Sequence, residues 1–243
     1  MLRNFANGIL LGSLSIPMLV QATSGEVDAS PCRALGQAVL GAVHASGDEM
    51  RAVACRTVMK ESVTLVAVAH KPAGDAMRPS GTLPIHVAII GMKHEDVRAT
   101  GQIGIAEDSE QEIDESSLVW DDTPLELASG RSGYVLRLAP AYHPSGAAES
   151  GHGPSMTLFL AEKGRMRPVL SDLYLSSWDQ TCAHPPCNHD EVTTRVFTTT
   201  YFPGVTSSHG LKDIVLTTTM DDDSSTMKRR ILRFDGVRYS IPD

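Results

Sequence analysis

The sequence has little of what identifies several protein classes. Phe, Trp and Tyr make up only 5% of the 243 residues, which argues against a carbohydrate-binding groove, because sugar-binding platforms rely on exposed aromatic rings. Cysteine occurs only four times, so the stability of so long a chain need not depend on disulfides alone. Beyond the first 22 residues no apolar run reaches 18 residues, and no membrane-spanning helix is predicted there.

Positive charge is scarce as well. Lysine and arginine number 21 against 29 acidic residues, a net charge of −8. Nucleic acids and anionic membranes bind positive patches, so we expect neither as a partner. The one basic cluster is interpreted as a solvated strand face: Lys228, Arg229, Arg230 and Arg233. Ala29-Ser30-Pro31 before Cys32 lacks a lipidation pattern, so no membrane anchor is predicted.

Sequence motifs of catalysis are absent too. The chain has no Gly-x-Ser-x-Gly elbow and no glycine-rich phosphate loop. Ser155 near His152, and Ser208 beside His209, are merely neighbours in sequence, whereas a catalytic triad is assembled from distant residues. We therefore predict no catalytic residues.

The first 22 residues contain the one long apolar run. Arg3 precedes an apolar segment from Phe5 to Val20, and Val20-Gln21-Ala22 places small residues where a signal peptidase reads them. The pattern predicts a signal peptide over residues 1–22 and a periplasmic or secreted product. Such a compartment is oxidising, so the cysteines are expected to form disulfides.

Three disulfide connectivities are possible for four cysteines, and we favour the local one. It joins Cys32 to Cys55, which would staple a helix to a sheet, and Cys182 to Cys187, which would lock a short loop. A redox site is the alternative for the second pair. The four-residue spacer with two prolines favours a structural bridge instead.

The pattern of apolar residues predicts a mainly β fold with one helix. Helical spacing of Leu35, Val39 and Val43 indicates a helix over about 31–45. Short strands then alternate with turns, and β-branched runs over Arg51–Val58 and Val63–His70 indicate a hairpin. Residues 23–243 are expected to form a single domain, an antiparallel sandwich or a partial propeller-like sheet.

Two further segments are predicted to be turns or loops. Asp235-Gly236 between two apolar runs indicates a two-residue hairpin turn. Glu107–Ser117 holds six acidic residues and, as its only aliphatic residue, Ile113. We expect this acidic segment to be a solvated loop.

The best metal-site candidate lies within eight residues of the chain. Its members are His184, His189, Asp190 and Glu191. Histidine nitrogens and carboxylate oxygens suit zinc, but this spacing fits no helical His-x-x-x-His arrangement. No metal site is favoured, and no cofactor is expected.

Several short motifs resemble uncharacterised exported β-rich proteins of Gram-negative bacteria. They are Cys55-Arg56, Leu65 to Ala69, Ser177-Trp178-Asp179, Gly210 to Ile214 and Arg233 to Tyr239. The resemblance implies a periplasmic location. It brings no activity and no catalytic residue.

Three functions agree with these observations. The leading hypothesis is a non-enzymatic binding or inhibitor-like module that recognises a protein or envelope component. The first alternative is a periplasmic hydrolase, with or without a metal, that uses the His184–Glu191 region. The second is a structural or assembly factor of the envelope.

We predict cleavage of the signal peptide after Ala22 on export. Mass spectrometry of the exported protein should give a chain that starts at Thr23. A soluble product that retains Met1 would contradict the prediction.

Overall fold

The computed structural model describes residues 29–45, 48–73, 82–93, 96–106, 111–142, 150–182, 192–221 and 223–240. The predicted signal peptide lies outside these ranges. No helix of the described ranges is long and apolar enough to cross a membrane.

The described residues form one α-helix, α1 (Ala29–Ala42), a short 3-10 helix (Met59–Glu61) and a succession of strands. The strands are β1 (Glu49–Val58), β2 (Val63–Lys71), β3 (Thr82–Gly91), β4 (Val97–Ala106), β5 (Gln111–Glu112), β6 (Leu118–Trp120), β7 (Leu125–Ala128), β8 (Arg131–Leu138), β9 (Ala141–Tyr142), β10 (Ser150–His152), β11 (Ser155–Glu162), β12 (Arg165–Tyr174), β13 (Ser176–Cys182), β14 (Val192–Ser208), β15 (Leu211–Met220), β16 (Asp223–Phe234) and β17 (Tyr239–Ser240).

These strands form two large sheets and a small one. The first sheet has the order β1-β2-β3-β4-β12-β11-β8-β6, with β7 also paired to β8. The second has the order β10-β13-β14-β15-β16-β17, and β5 pairs with β9. The described pairings are antiparallel except between β4 and β12. The predicted mainly β fold with an N-terminal helix is confirmed, and the sheets curl into half-barrels.

The first sheet curls until its two edge strands, β1 and β6, contact each other. We call the line along which they meet the seam. Strand pairing does not cross it, but the guanidinium of Arg56 in β1 lies 2.9 Å from the carboxylate of Asp122 just after β6. Inside the curl, apolar side chains form the inner core, where Trp120 packs edge-on against Phe159 at 6.1 Å.

Helix α1 covers part of the outer face of the same sheet. Val39 and Leu40 are fully buried against Val66 and Val68 of β2. The alternate residues of β2, such as Leu65, face the inner core. β2 is thus apolar on both faces, as its continuous apolar run predicts for a strand covered on each side.

The second sheet covers another part of that outer face. Val135 and Leu158 of the first sheet pack with Ile214 and Leu232 of the second in a separate core. The two sheets are also tied by polar contacts. Asp121 accepts a hydrogen bond from the Tyr201 hydroxyl, and Arg137 Nε lies 2.5 Å from its other oxygen.

Two local predictions need correction. At the terminal hairpin, Phe234 pairs with Tyr239 rather than with Val237, so the predicted two-residue turn is wrong. The connection spans residues 235–238. The Asp235 carboxylate accepts hydrogen bonds from the backbone N–H groups of residues 237 and 238, both at 2.7 Å, and the Asp235 N–H donates to the carbonyl oxygen of Arg238 at 3.0 Å.

The acidic segment is not wholly a solvated loop either. Within its described part, residues 111–117, Ile113 is 2% exposed in the inner core and Ser117 is fully buried. The Ser117 hydroxyl donates to Asp114 at 2.9 Å. The buried Ile113 side chain therefore anchors a segment whose other residues are polar or charged.

The disulfide between Cys32 and Cys55 is formed and ties α1 to β1. The predicted partner of Cys182, Cys187, lies outside the described residues, so that pair stays a prediction.

Replacing Cys32 and Cys55 with serine should lower the free energy of unfolding by ~3 to 4 kcal/mol, because the bridge closes the longer loop. Urea denaturation measures this. The matched control, Cys182→Ser with Cys187→Ser, should cost less. An equal or larger loss in the control would refute the ranking.

Candidate functional site

A groove of about 750 Å³ opens at one end of the seam, where β1 passes into the 3-10 helix. Thr57–Glu61 forms one side. The other side comes from Asp122–Pro124 and the start of β8, and Leu160 and Ala161 of β11 complete the lining. The volume lies within the range typical of ligand sites in proteins.

Glu61 is held in a fixed position on this groove. It ends the 3-10 helix, and the following Ser62 has a left-handed backbone conformation, with φ 53° and ψ 46°. The Ser132 hydroxyl donates to one carboxylate oxygen at 2.6 Å, and the Tyr134 hydroxyl donates to the other. Burial, and then the hydrogen bond to Glu61, raises the pKa of Tyr134, so this hydroxyl remains a donor at neutral pH.

The charges along the groove are mixed. Its lining includes the acidic residues Glu61, Asp122 and Glu126 and the basic residues Lys60 and Arg131. Asp122 pairs with a guanidinium across the seam, and Arg131 pairs with a carboxylate of β11. Glu61, in contrast, receives only neutral donors among the described contacts.

The hydroxyl groups of Ser132 and Tyr134 in the groove both donate to the Glu61 carboxylate. In the Ser-His-Asp arrangement, by contrast, a histidine takes the proton of the serine. Among the described residues, the lining of the groove includes no histidine or cysteine.

A second polar cluster lies outside the groove. His70 is 3% exposed, its Nδ1 lies 2.7 Å from Asp48 Oδ2, and its ring stacks on His86 with centroids 4.9 Å apart. Asp48 also accepts the N–H of Ala73 at 2.8 Å. Burial lowers the pKa of both histidines despite the nearby carboxylate.

The structure assigns local roles to the two histidines that were considered for triads. His152 stacks on Tyr174 with centroids 4.2 Å apart, and His209 Nδ1 lies 2.8 Å from the carbonyl oxygen of Phe234. Neither lines the groove.

The weak metal candidates, residues 184 and 189–191, lie outside the described residues. Within the described ranges, no group of three or more His, Cys, Asp or Glu residues could hold a metal ion.

Comparison of the chain with protein-family models, curated proteins and solved structures finds no match.

Sequence reasoning did not single out the Glu61 cluster. Ser132 and Tyr134 lie 71 and 73 residues after Glu61 along the chain. The segment Met59-Lys60-Glu61-Ser62 was predicted only as the connection between two strands, and that hairpin is confirmed. Nothing local in the sequence indicates that β8 returns to this turn.

The His70 cluster generates a prediction about pH. Because the folded pKa of His70 and His86 lies below the unfolded value near 6.5, the unfolded chain takes up protons first as the pH falls. The stabilisation is present above about pH 6.5 and is lost as the pH falls towards the folded pKa values. In urea denaturation, we expect the free energy of unfolding of the wild type to be lower at pH 5.5 than at pH 7.5. This loss should be smaller in His86→Gln, and it should equal that of the wild type in the surface control His152→Gln. An unchanged loss in His86→Gln would contradict the prediction.

Proposed function

We propose that the protein is an exported, non-enzymatic binding module that takes up a short segment of a protein partner in the seam groove. The observation that carries the proposal is the groove itself, because it is open and lined by both polar and apolar side chains. Export to the periplasm or the medium is part of the proposal and is supported by the apolar N-terminal segment.

The groove is built on a scaffold that should change little on binding. One wall follows β1, which the disulfide ties to α1, and the other wall belongs to β8 in the middle of two packed layers. Hydrogen bonds from Ser132 and Tyr134 to Glu61 join the two walls. A preformed site loses less conformational entropy when its ligand binds.

An exposed apolar side chain stands at the edge of the groove. Met59 lies between β1 and β2 and is 73% exposed. Methionine is flexible and polarisable, and it is common on surfaces that bind peptides. We assign Met59 as the apolar contact for the partner segment.

The hydrolase alternative depends on residues 184–191, which lie outside the described ranges, and gains no support from the groove. The envelope-assembly alternative also requires a binding surface, so it differs from the proposal only in the identity of the partner.

Selection from a library of random twelve-residue peptides tests the proposal. The mature chain, residues 23–243, would serve as the target. We expect enriched peptides to bind the wild type and to bind Met59→Ser at least tenfold more weakly, because the substitution removes the apolar contact without adding a charge. Val205→Ser, at a fully exposed position on the second sheet, is the matched control and should leave the affinity unchanged. Failure to enrich any peptide, or equal affinity for Met59→Ser, would refute the proposal.

A further inference from the structure

We infer that the seam groove selects a cationic side chain, Lys or Arg, of the bound segment, and that Glu61 is the residue that recognises it. This inference rests on the proposed function, since it specifies which chemistry the groove accepts. Three features of the groove support it: the position of the Glu61 carboxylate, the state of the neighbouring charges and the apolar lining.

The carboxylate is fixed but not fully used. An ionised carboxylate can accept about four hydrogen bonds. Those from Ser132 and Tyr134 occupy one position on each oxygen of Glu61. Two positions therefore remain, one on each oxygen, and a guanidinium or an ammonium group can donate to them.

The negative charge of Glu61 is also not neutralised by the protein. None of the salt bridges between described residues includes Glu61. Arg131, beside Ser132, is paired with Glu162, and Arg56 is paired with Asp122. Lys60 precedes Glu61 directly but is exposed and forms no ion pair with it. An external cation would therefore supply the missing partner.

The remaining lining suits the aliphatic part of such a side chain. Val58, Met59, Pro124 and Leu160 present apolar atoms to the groove. Lysine and arginine place their methylene groups against apolar surface while the charged end reaches a polar partner. An anionic ligand fits less well, because it would lie beside the unneutralised Glu61 carboxylate.

A charge-matched peptide series tests the inference. The probes are acetyl-Ala-Arg-Ala-amide and the same peptide with citrulline, which has nearly the shape of arginine but no charge. NMR titration of the mature protein in 0.15 M salt should show shifts in the groove with the arginine peptide and at least tenfold weaker binding of the citrulline peptide. Equal binding of the two peptides would overturn the inference.

Matched variants locate the effect. Glu61→Gln keeps an acceptor oxygen for one of the two hydroxyl groups, places an NH2 group that the other hydroxyl oxygen can accept, and removes the charge. It should weaken binding of the arginine peptide at least tenfold. Glu112→Gln removes an exposed carboxylate of β5, outside the groove, and should change the affinity less than twofold. Should Glu61→Gln fail to fold, Ser132→Ala keeps the charge but loses one positioning donor, and it should weaken binding to a smaller, measurable degree. Unchanged affinity in either Glu61→Gln or Ser132→Ala would overturn the inference.

The outcomes separate this inference from the proposed function. Library peptides that bind in a Met59-dependent manner but carry no lysine or arginine would refute the cation preference and leave the binding function intact. Loss of all peptide binding would refute both. Spermidine serves as a cation that is not part of a polypeptide, and binding of spermidine without binding of the arginine peptide would overturn the assignment to a side chain.

Discussion

Apolar side chains project from both faces of the central strands of the first sheet, and the rest of the structure depends on covering both. In β2, Leu65 and Ala67 face the inner core while Val66 and Val68 face the helix, all with almost no exposure. A flat sheet would leave one of these faces in water. Curling buries the concave face within a single sheet, and the helix and the second sheet cover the convex face.

The curl determines where a binding groove forms. A curled sheet that does not complete its strand pairing leaves two edges, and exposed edges invite pairing with other chains. Here the edges protect each other, and side chains such as Arg56 and Asp122 join them in place of a main-chain ladder. The groove opens where β1 passes into the 3-10 helix, and there hydrogen bonds from Ser132 and Tyr134 of β8 to Glu61 join its two walls.

The exposed edge of the second sheet is protected in a different way. Beyond the short contact with β17, the edge of β16 carries Lys228, Arg229 and Arg230, all exposed. Basic side chains on an edge strand discourage pairing with another strand. This accounts for the placement of a basic cluster in an acidic chain, and its side chains alternate along an edge instead of sharing one face.

Local sequence patterns predicted the elements but not their long-range assembly. The helix, the first hairpin and the Cys32–Cys55 bridge follow from spacing over a few to about twenty residues, and all are present. The helix ends at Ala42, before the predicted boundary near residue 45, because His44 adopts a positive φ of 63°. The burial of Ile113 depends on which strands pack around it. Because its neighbours in the sequence are mostly charged, the local sequence does not indicate this burial. The length of the Asp235 connection was missed because the Asp235 side chain, in addition to the positive φ of Gly236, shapes the hairpin.

The two polar clusters of the first sheet show why only one of them is assigned a ligand. Asp48 already faces His70 with one oxygen and accepts a backbone N–H with the other, and His70 is sealed from solvent. A buried cluster of this kind stabilises the fold in a pH-dependent manner but offers no access. Glu61 has the same two-sided support, but it faces a groove. The difference lies in access, and access points to an external cation as the partner of Glu61.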